Sequence, residues 1–378
     1  DGTVFPGCGM RPAARLGKKP LAQIWRSAPF RLARLRMRHG LCRGCWWQCT
    51  AEESLYWMRK LGIRDVGALN GVVTRGNLLE TILVSEALQE QRIAQMATLL
   101  ATLHPRVRLV LISGPSSSGK TTFSKRLAVQ LLAYGLRPIA IEMDNYFVDR
   151  ELTPRDAHGD YDFESFEALD HALFSRQLAA LTEGREVTLP RYDFKSGRRV
   201  TGATVKISRD HIILAEGIHA LNPNLVPDVP AEKVYRVYVS ALTQLNIDQH
   251  NRIATTDTRL VRRIVRDARE RGYAARDTIK RWDKVRAGES QNIFRYQENA
   301  DTLFNSALVY EHAALKPLAE PLLRQIRPGT AEYLEAERLL AFLEWFLPVS
   351  DDVIPDNSIL REFIGGSSLK DFKLWEQG

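Results

Sequence analysis

Beyond Cys49 the chain has no cysteine, so residues 50–378 cannot be stapled by disulfides and carry no mark of secretion. Long apolar runs are missing too. Stretches such as Leu109–Ile112 and Ile212–Ala215 fall far short of the roughly 20 residues a membrane-spanning helix needs, so no membrane span is expected. The body also lacks an excess of either charge. The formal net charge of the 378 residues is +8, yet residues 1–50 alone carry eight Arg and two Lys against Asp1, which leaves the remainder at −1. A near-neutral body has no overall electrostatic footprint for nucleic acid, which is not expected as a partner. With 44% hydrophobic and 26% charged residues, disorder, collagen and coiled coil are excluded as whole-chain descriptions.

What is present is unevenly spread. All four cysteines (Cys8, Cys42, Cys45, Cys49) and three of seven tryptophans (Trp25, Trp46, Trp47) lie in the first fifty residues. Arg-rich, acid-poor sequence suits a transit peptide, but Ser27 is the only serine there, and a cytoplasmic location is expected instead. Cys42, Cys45 and Cys49 have a spacing that can hold a metal. With no fourth ligand beyond His39 or Cys8, chance spacing in an atypical basic leader, disordered or non-native, is the expectation.

From Ala51 the sequence becomes regularly amphipathic. Leu78–Leu103 reads as one long helix, with Ile82, Ala87, Leu88, Met96, Leu99, Leu100 and Leu103 on one stripe and Pro105 beyond its end. Short β-rich runs then alternate with helical ones: 107–113, 138–141, 212–216, 234–240 and 302–305. Such alternation implies parallel pairing, hence an α/β, doubly wound parallel sheet. Residues 186–207 interrupt it with strand, turn (Lys195, Ser196, Gly197) and strand, an inserted β-hairpin. From Pro317 the chain is helical, with Leu339, Leu340, Leu343 and Phe346 at core spacing. These shifts place boundaries near 50, 105 and 315.

The sharpest motif is Gly114-Pro115-Ser116-Ser117-Ser118-Gly119-Lys120-Thr121, followed by Thr122. It fits G-x-x-x-x-G-K-[ST] and stands after an apolar strand and before an amphipathic helix, the context that a phosphate-cradling loop requires. In such a loop, backbone N–H groups and the helix N-terminus face the phosphates, Lys120 reaches the β and γ phosphates, and Thr121 offers its hydroxyl to Mg²⁺. Binding of a nucleoside triphosphate follows as the expectation.

The rest of the constellation says what the triphosphate is for. Together with the loop, Met143-Asp-Asn-Tyr-Phe147, Tyr161-Asp-Phe163, Pro190-Arg-Tyr-Asp-Phe194, Glu216-Gly-Ile218 and the Arg-rich run Asp257–Asp267 resemble, in order, the uridine kinase family of P-loop kinases, which is related to phosphoribulokinases. The resemblance implies a P-loop kinase domain over 106–315, a helical junction over 51–105 and a helical C-terminal extension over 316–378. It also implies ATP and Mg²⁺ as cofactors and a small-molecule acceptor, with homo-oligomerisation left open.

Phosphoryl transfer needs a triphosphate cradle, Mg²⁺, positive charge on the transferring group and a carboxylate for the acceptor hydroxyl. Asp144, at the carboxyl edge of the second strand where open sheets bind ligands, is the expected base. Glu216 emerges from a buried strand beside the loop, and a buried carboxylate demands a cation, so it joins Thr121 as the expected metal pair. Arg259, Arg263 and Arg266 share one helix face with little acid nearby and resemble the family's arginine lid over the phosphates. On the acceptor side, Asp162 matches the family aspartate that takes ribose hydroxyls, and Tyr192 and Phe194 belong to the hairpin that covers the nucleoside. Here the sequence departs from the family: where a base-reading histidine is usual stands Gly197, beside Lys195, Arg198 and Arg199. The expected reaction is phosphorylation of the primary hydroxyl of a nucleoside, uridine or cytidine. The alternatives are a sugar-phosphate kinase of phosphoribulokinase type and an ATP-binding regulatory module.

Overall fold

Strand β1, Leu109–Ser113, is buried along its whole length and forms the axis of a five-stranded sheet. The computed structural model describes residues 58, 60–156, 159–248 and 250–372, together with a two-residue antiparallel pair, Thr3–Val4 with Ala14–Arg15. The chain divides into two units, Asp1–Leu61 and Gly62–Gly378, and the five-stranded sheet belongs to the second. The cysteine run Cys42, Cys45, Cys49 and Cys8 lie outside the described residues.

In the second unit, α1 (Val66–Thr74) and α2 (Leu78–Leu103) precede β1. Then come α3 (Lys120–Ala133), β2 (Arg137–Glu142), α4 (His171–Thr182), the hairpin strands β3 (Val187–Asp193) and β4 (Arg198–Val205), β5 (His211–Glu216) and β6 (Val234–Ser240). Helices α5 (Thr255–Arg266) and α6 (Ala275–Asn292) lead to β7 (Thr302–Asn305), followed by α7 (Glu311–Leu323), α8 (Tyr333–Glu344) and the short α9 (Arg361–Ile364).

The sheet order is β2-β5-β1-β6-β7, and every pairing is parallel. This is the expected α/β P-loop kinase core with its flanking helices. Because side chains alternate across a strand, Leu109 and Leu111 join Ile139, Ile141, Ile213 and Ala215 in one cluster with Phe174, Leu178 and Leu181 of α4. Among the remaining core residues, Phe123 of α3 lies 4.5 Å from Phe304 of β7, ring to ring. The long helix α2 is tied to α3 by Arg126, whose guanidinium reaches Glu90 at 2.7 Å. Tyr310 of the segment after β7 donates to Glu86 at 2.7 Å.

The hairpin β3–β4 pairs antiparallel outside the sheet, from Val187↔Val205 to Asp193↔Arg198. In the extension, Leu339, Leu343 and Phe346 are buried as their spacing implied, while Leu340 is only half-buried. No helix among the described residues is long and apolar enough to cross a membrane.

Candidate active site

The carboxyl ends of β1, β2 and β5 converge on one cleft. After β1 the chain must turn sharply, and Gly114 lets it: a Cβ there would lie 2.1 Å from the Val239 carbonyl oxygen. Ser117 (φ 58°) and Gly119 (φ 83°) adopt the left-handed conformation, which curls the loop before α3 begins at Lys120. Lys120 folds back, its Nζ donating to the carbonyls of Gly114 (2.8 Å) and Pro115 (3.2 Å). Burial lowers the ammonium's pKa, with Glu216 opposing that shift. The buried hydroxyls of Ser117 and Ser118 have no hydrogen-bond partner.

Glu216, the last residue of β5, accepts a hydrogen bond from the Thr121 hydroxyl at 3.0 Å. Burial pushes its carboxyl up to about 7, against the pull of Lys120. Its second oxygen, Oε2, is buried and unpartnered, a vacancy in hydrogen bonding that a cation fits. Among the described residues no three His, Cys, Asp or Glu side chains cluster as a metal cage. A single carboxylate beside a hydroxyl suits Mg²⁺, which keeps waters and shares phosphate oxygens rather than filling an all-protein site.

Asp144 follows β2 in the one-turn segment Met143–Tyr146. It is open to solvent at the mouth of the cleft, yet the surrounding walls desolvate its carboxyl and raise its pKa; Glu142 adds to the rise and Lys120 opposes it. A third carboxylate joins them. Glu164 is pushed up to about 7 by burial and then by Glu289, while Arg263 and Lys120 pull it down and Asp144 pushes it up. Lys120 therefore stands within electrostatic reach of Asp144, Glu164 and Glu216.

The sequence motif points to Asp162, and nothing in it points to Glu164. In the structure Asp162 Oδ1 caps its own turn, accepting from the Glu164 N–H at 3.1 Å. Two acids two residues apart cannot be ranked by spacing when a turn, rather than a strand or helix, sets their directions. Gly288 supplies the close fit, since a Cβ there would come within 2.8 Å of Glu164 Cβ.

The arginine face is divided three ways. Arg259, expected in a lid over the phosphates, is 1% exposed; it donates to Glu289 Oε1 at 2.5 Å and to the Ser116 carbonyl at 3.2 Å. Arg263 reaches the Ser116 hydroxyl at 2.8 Å and Asp267 at 3.2 Å. Arg266 pairs with Asp267 at 2.9 Å. For Arg259 and Arg262 the counter-charges that are absent along the helix come from elsewhere in the chain. Glu289 on α6 also accepts from the Ser116 N–H at 2.8 Å, and Glu311 on α7 takes the fully buried Arg262 at 2.6 Å. Arg262 in turn donates to the carbonyls of Ser117 (3.3 Å) and Ser306 (3.0 Å). Arg259, Arg262, Glu289 and Glu311 thus brace the loop from beneath.

The other wall of the cleft is aromatic. Phe147 meets Tyr192 edge-on at 5.7 Å and Phe163 at 6.1 Å, and Tyr192 meets Phe194 at 5.1 Å. Tyr192 is buried, whereas Phe163 and Phe194 are exposed. Asn145 Oδ1, beside Asp144, accepts from the Tyr192 N–H at 3.2 Å and so ties the hairpin to that turn. At Gly197 the missing side chain is replaced by a neighbour's. Arg150 Cζ lies 2.7 Å from where a Cβ would sit, and its guanidinium donates to the Phe194 carbonyl at 2.7 Å. Of the three cations nearby, Arg199 is already paired with Asp170 at 2.7 Å.

Comparison with known proteins bears on this geometry. Residues 109–310 match the Phosphoribulokinase / Uridine kinase family. The chain belongs to this family. A uridine kinase from Borrelia duttonii (strain Ly) is 30% identical over 205 residues, spanning 52% of this chain and 85% of its own. A uridine kinase from Staphylococcus aureus (strain JH9) is 27% identical over 196 residues, 52% of this chain and 86% of its own. A crystal structure assigned as a fructose transport system kinase from Silicibacter sp. TM1040 is 24% identical, covers 56% of this chain and 98% of its own, and aligns with a TM-score of 0.40. The family member is a kinase, a phosphotransferase of P-loop type, and the match takes in the loop, Asp144, Glu164, the hairpin, Glu216 and the α5 arginines.

Proposed function

We propose that the chain transfers the terminal phosphoryl group of ATP to the primary hydroxyl of a nucleoside, uridine or cytidine. The observation that carries this reading is the aromatic wall of Phe147, Phe163, Tyr192 and Phe194 beside Asp144, because a planar base gains from stacking on such rings while a sugar phosphate does not. The uridine kinase relatives support the same acceptor class.

In this reading the loop Gly114–Thr122 holds the triphosphate, and Thr121 with Glu216 holds Mg²⁺. The bound metal neutralises phosphate charge. Asp144 accepts the proton of the attacking hydroxyl; its raised pKa places it nearer to that task than an ordinary surface carboxylate. Lys120, drawn away from its loop carbonyls, and Arg263 and Arg266 present positive charge to the transferring group. Arg259 serves by positioning the loop through Glu289 and Ser116. Tyr192 and Phe194 cover the base, and Glu164 is better placed than Asp162 to take acceptor hydroxyls.

The sugar-phosphate alternative draws on Lys195 and Arg198, both exposed on the hairpin, and is weakened by the engagement of Arg199 with Asp170. A coupled ADP-release assay across nucleosides and pentose phosphates separates the two. Turnover with uridine or cytidine and none with pentose phosphates is expected, and the reverse pattern would transfer the assignment.

A further inference from the structure

The C-terminal segment after α8 lies along the phosphate loop. Glu362, on α9, directs one carboxylate oxygen at the first turn of α3, where it accepts from the Thr122 N–H at 3.1 Å and from the Thr122 hydroxyl at 2.8 Å. Those first-turn N–H groups have no intrahelical partner and are the donors a P loop offers to phosphate. The carboxylate is not there by accident of an isolated side chain. Ile359 fills the space beside Gly119, its Cγ2 lying 2.6 Å from where a Cβ would be. Phe363 lies under the Arg262 guanidinium, 4.9 Å from ring centre to Cζ. Arg269 donates to the Glu362 carbonyl at 3.3 Å, and Lys125, one turn further along α3, donates to the Leu369 carbonyl at 2.6 Å. Ile359, Leu360 and Phe363 are buried, so the segment is seated as a packed element. Glu362 is also among the charges that act on both Lys120 and Glu216.

We propose that residues 354–372 form a built-in competitor of the nucleotide, with Glu362 standing in for a phosphate oxygen on Thr122. This inference rests on the reading of Gly114–Thr122 as a triphosphate loop. A carboxylate and a phosphate cannot share the same two donors, and their like charges repel, so nucleotide binding requires Glu362 to leave. The segment would then raise the nucleotide concentration at which the enzyme becomes active, and anything that captures 354–372 would lower it.

The test is an equilibrium titration of the full chain with a fluorescent ADP analogue, using wild type, Glu362→Ala, Glu362→Gln and Lys120→Ala. It is paired with hydrogen exchange of 354–372 in wild type with and without ADP. The proposal predicts tenfold or greater tightening in Glu362→Ala, tightening in Glu362→Gln, and faster exchange of 354–372 when ADP is bound. If Glu362→Ala binds ADP as wild type does or more weakly, while Lys120→Ala weakens binding, the loop reading stands and the competitor is overturned. If wild type and Lys120→Ala bind equally, the loop reading fails and takes the competitor with it. The exchange arm needs no variant: unchanged or slower exchange at 354–372 on ADP binding also overturns it.

Discussion

The two walls of the cleft are built on opposite principles. On the phosphate side, charge is buried and matched: Arg259 with Glu289, Arg262 with Glu311, and Arg263 and Arg266 with Asp267. On the acceptor side stand rings instead of ion pairs, with Phe163 of the turn before α4 and Phe194 of the hairpin tip both exposed. The first wall is sensitive to substitution because removing one partner of a buried pair strands the other charge in a poorly solvated site. The second tolerates change because its contacts are apolar and open. The phosphate wall should therefore answer mutation with large, charge-specific losses, and the acceptor wall with shifts in preference.

The largest effect should come at Lys120. No other loop side chain places a cation on the β and γ phosphates, so Lys120→Ala should lose most phosphoryl transfer, read as turnover at saturating acceptor. Turnover within threefold of wild type would remove the phosphate wall from the account.

Next, Glu289→Ala leaves Arg259 uncompensated among protein atoms and frees the Ser116 N–H. Breaking a buried pair in this way costs roughly 3–5 kcal/mol, visible as a drop in the chemical-denaturation midpoint. The same change at Lys195, exposed on the hairpin, should move the midpoint little. Equal losses at the two sites would erase the contrast between the walls.

A smaller effect is expected from replacing Lys195, Arg198 and Arg199 together by Gln. The specificity constant for a nucleoside should stay within a few fold, whereas a phosphorylated acceptor would lose charge-assisted hydrogen bonds of roughly 1.5–3 kcal/mol each. Loss of nucleoside turnover in the triple variant would mean that the hairpin reads charge rather than rings.

The smallest effect is a pH dependence at Glu164. Its folded pKa, about 7, is raised above the ordinary 4.5 by burial. A carboxyl raised on folding binds more protons in the native state, so its contribution favours folding at low pH and is lost as pH climbs from about 4.5 through 7. Glu164→Gln removes the ionisation, and the thermal midpoint of the variant should gain on wild type at pH 8 relative to pH 5. A pH-independent difference would mean that Glu164 is not desolvated.

The fold was legible because it repeats: strands alternate with helices, and Leu78–Leu103 ends where its stripe ends. The loop was legible because backbone geometry at Gly114 and Gly119 admits few residue types. What escaped was pairing across long sequence distances. Nothing in Arg259 or Arg262 announces Glu289 or Glu311, which lie 30 and 49 residues away, so along the helix these two arginines show no partner. Glu362, 240 residues from Thr122, had no local signal either. Glu164 was missed for a different reason, since an Asp cap next to a Glu hides which of them the turn aims inward.

The central claim is that Asp144, between the two walls, activates a nucleoside hydroxyl. Its most direct test is transfer of label from γ-labelled ATP to uridine by wild type and Asp144→Asn, with nucleotide affinity measured in parallel. The account predicts labelled nucleoside monophosphate in wild type, a loss of roughly 10² or more in Asp144→Asn, and unchanged nucleotide affinity. Label transfer by Asp144→Asn within threefold of wild type would contradict it.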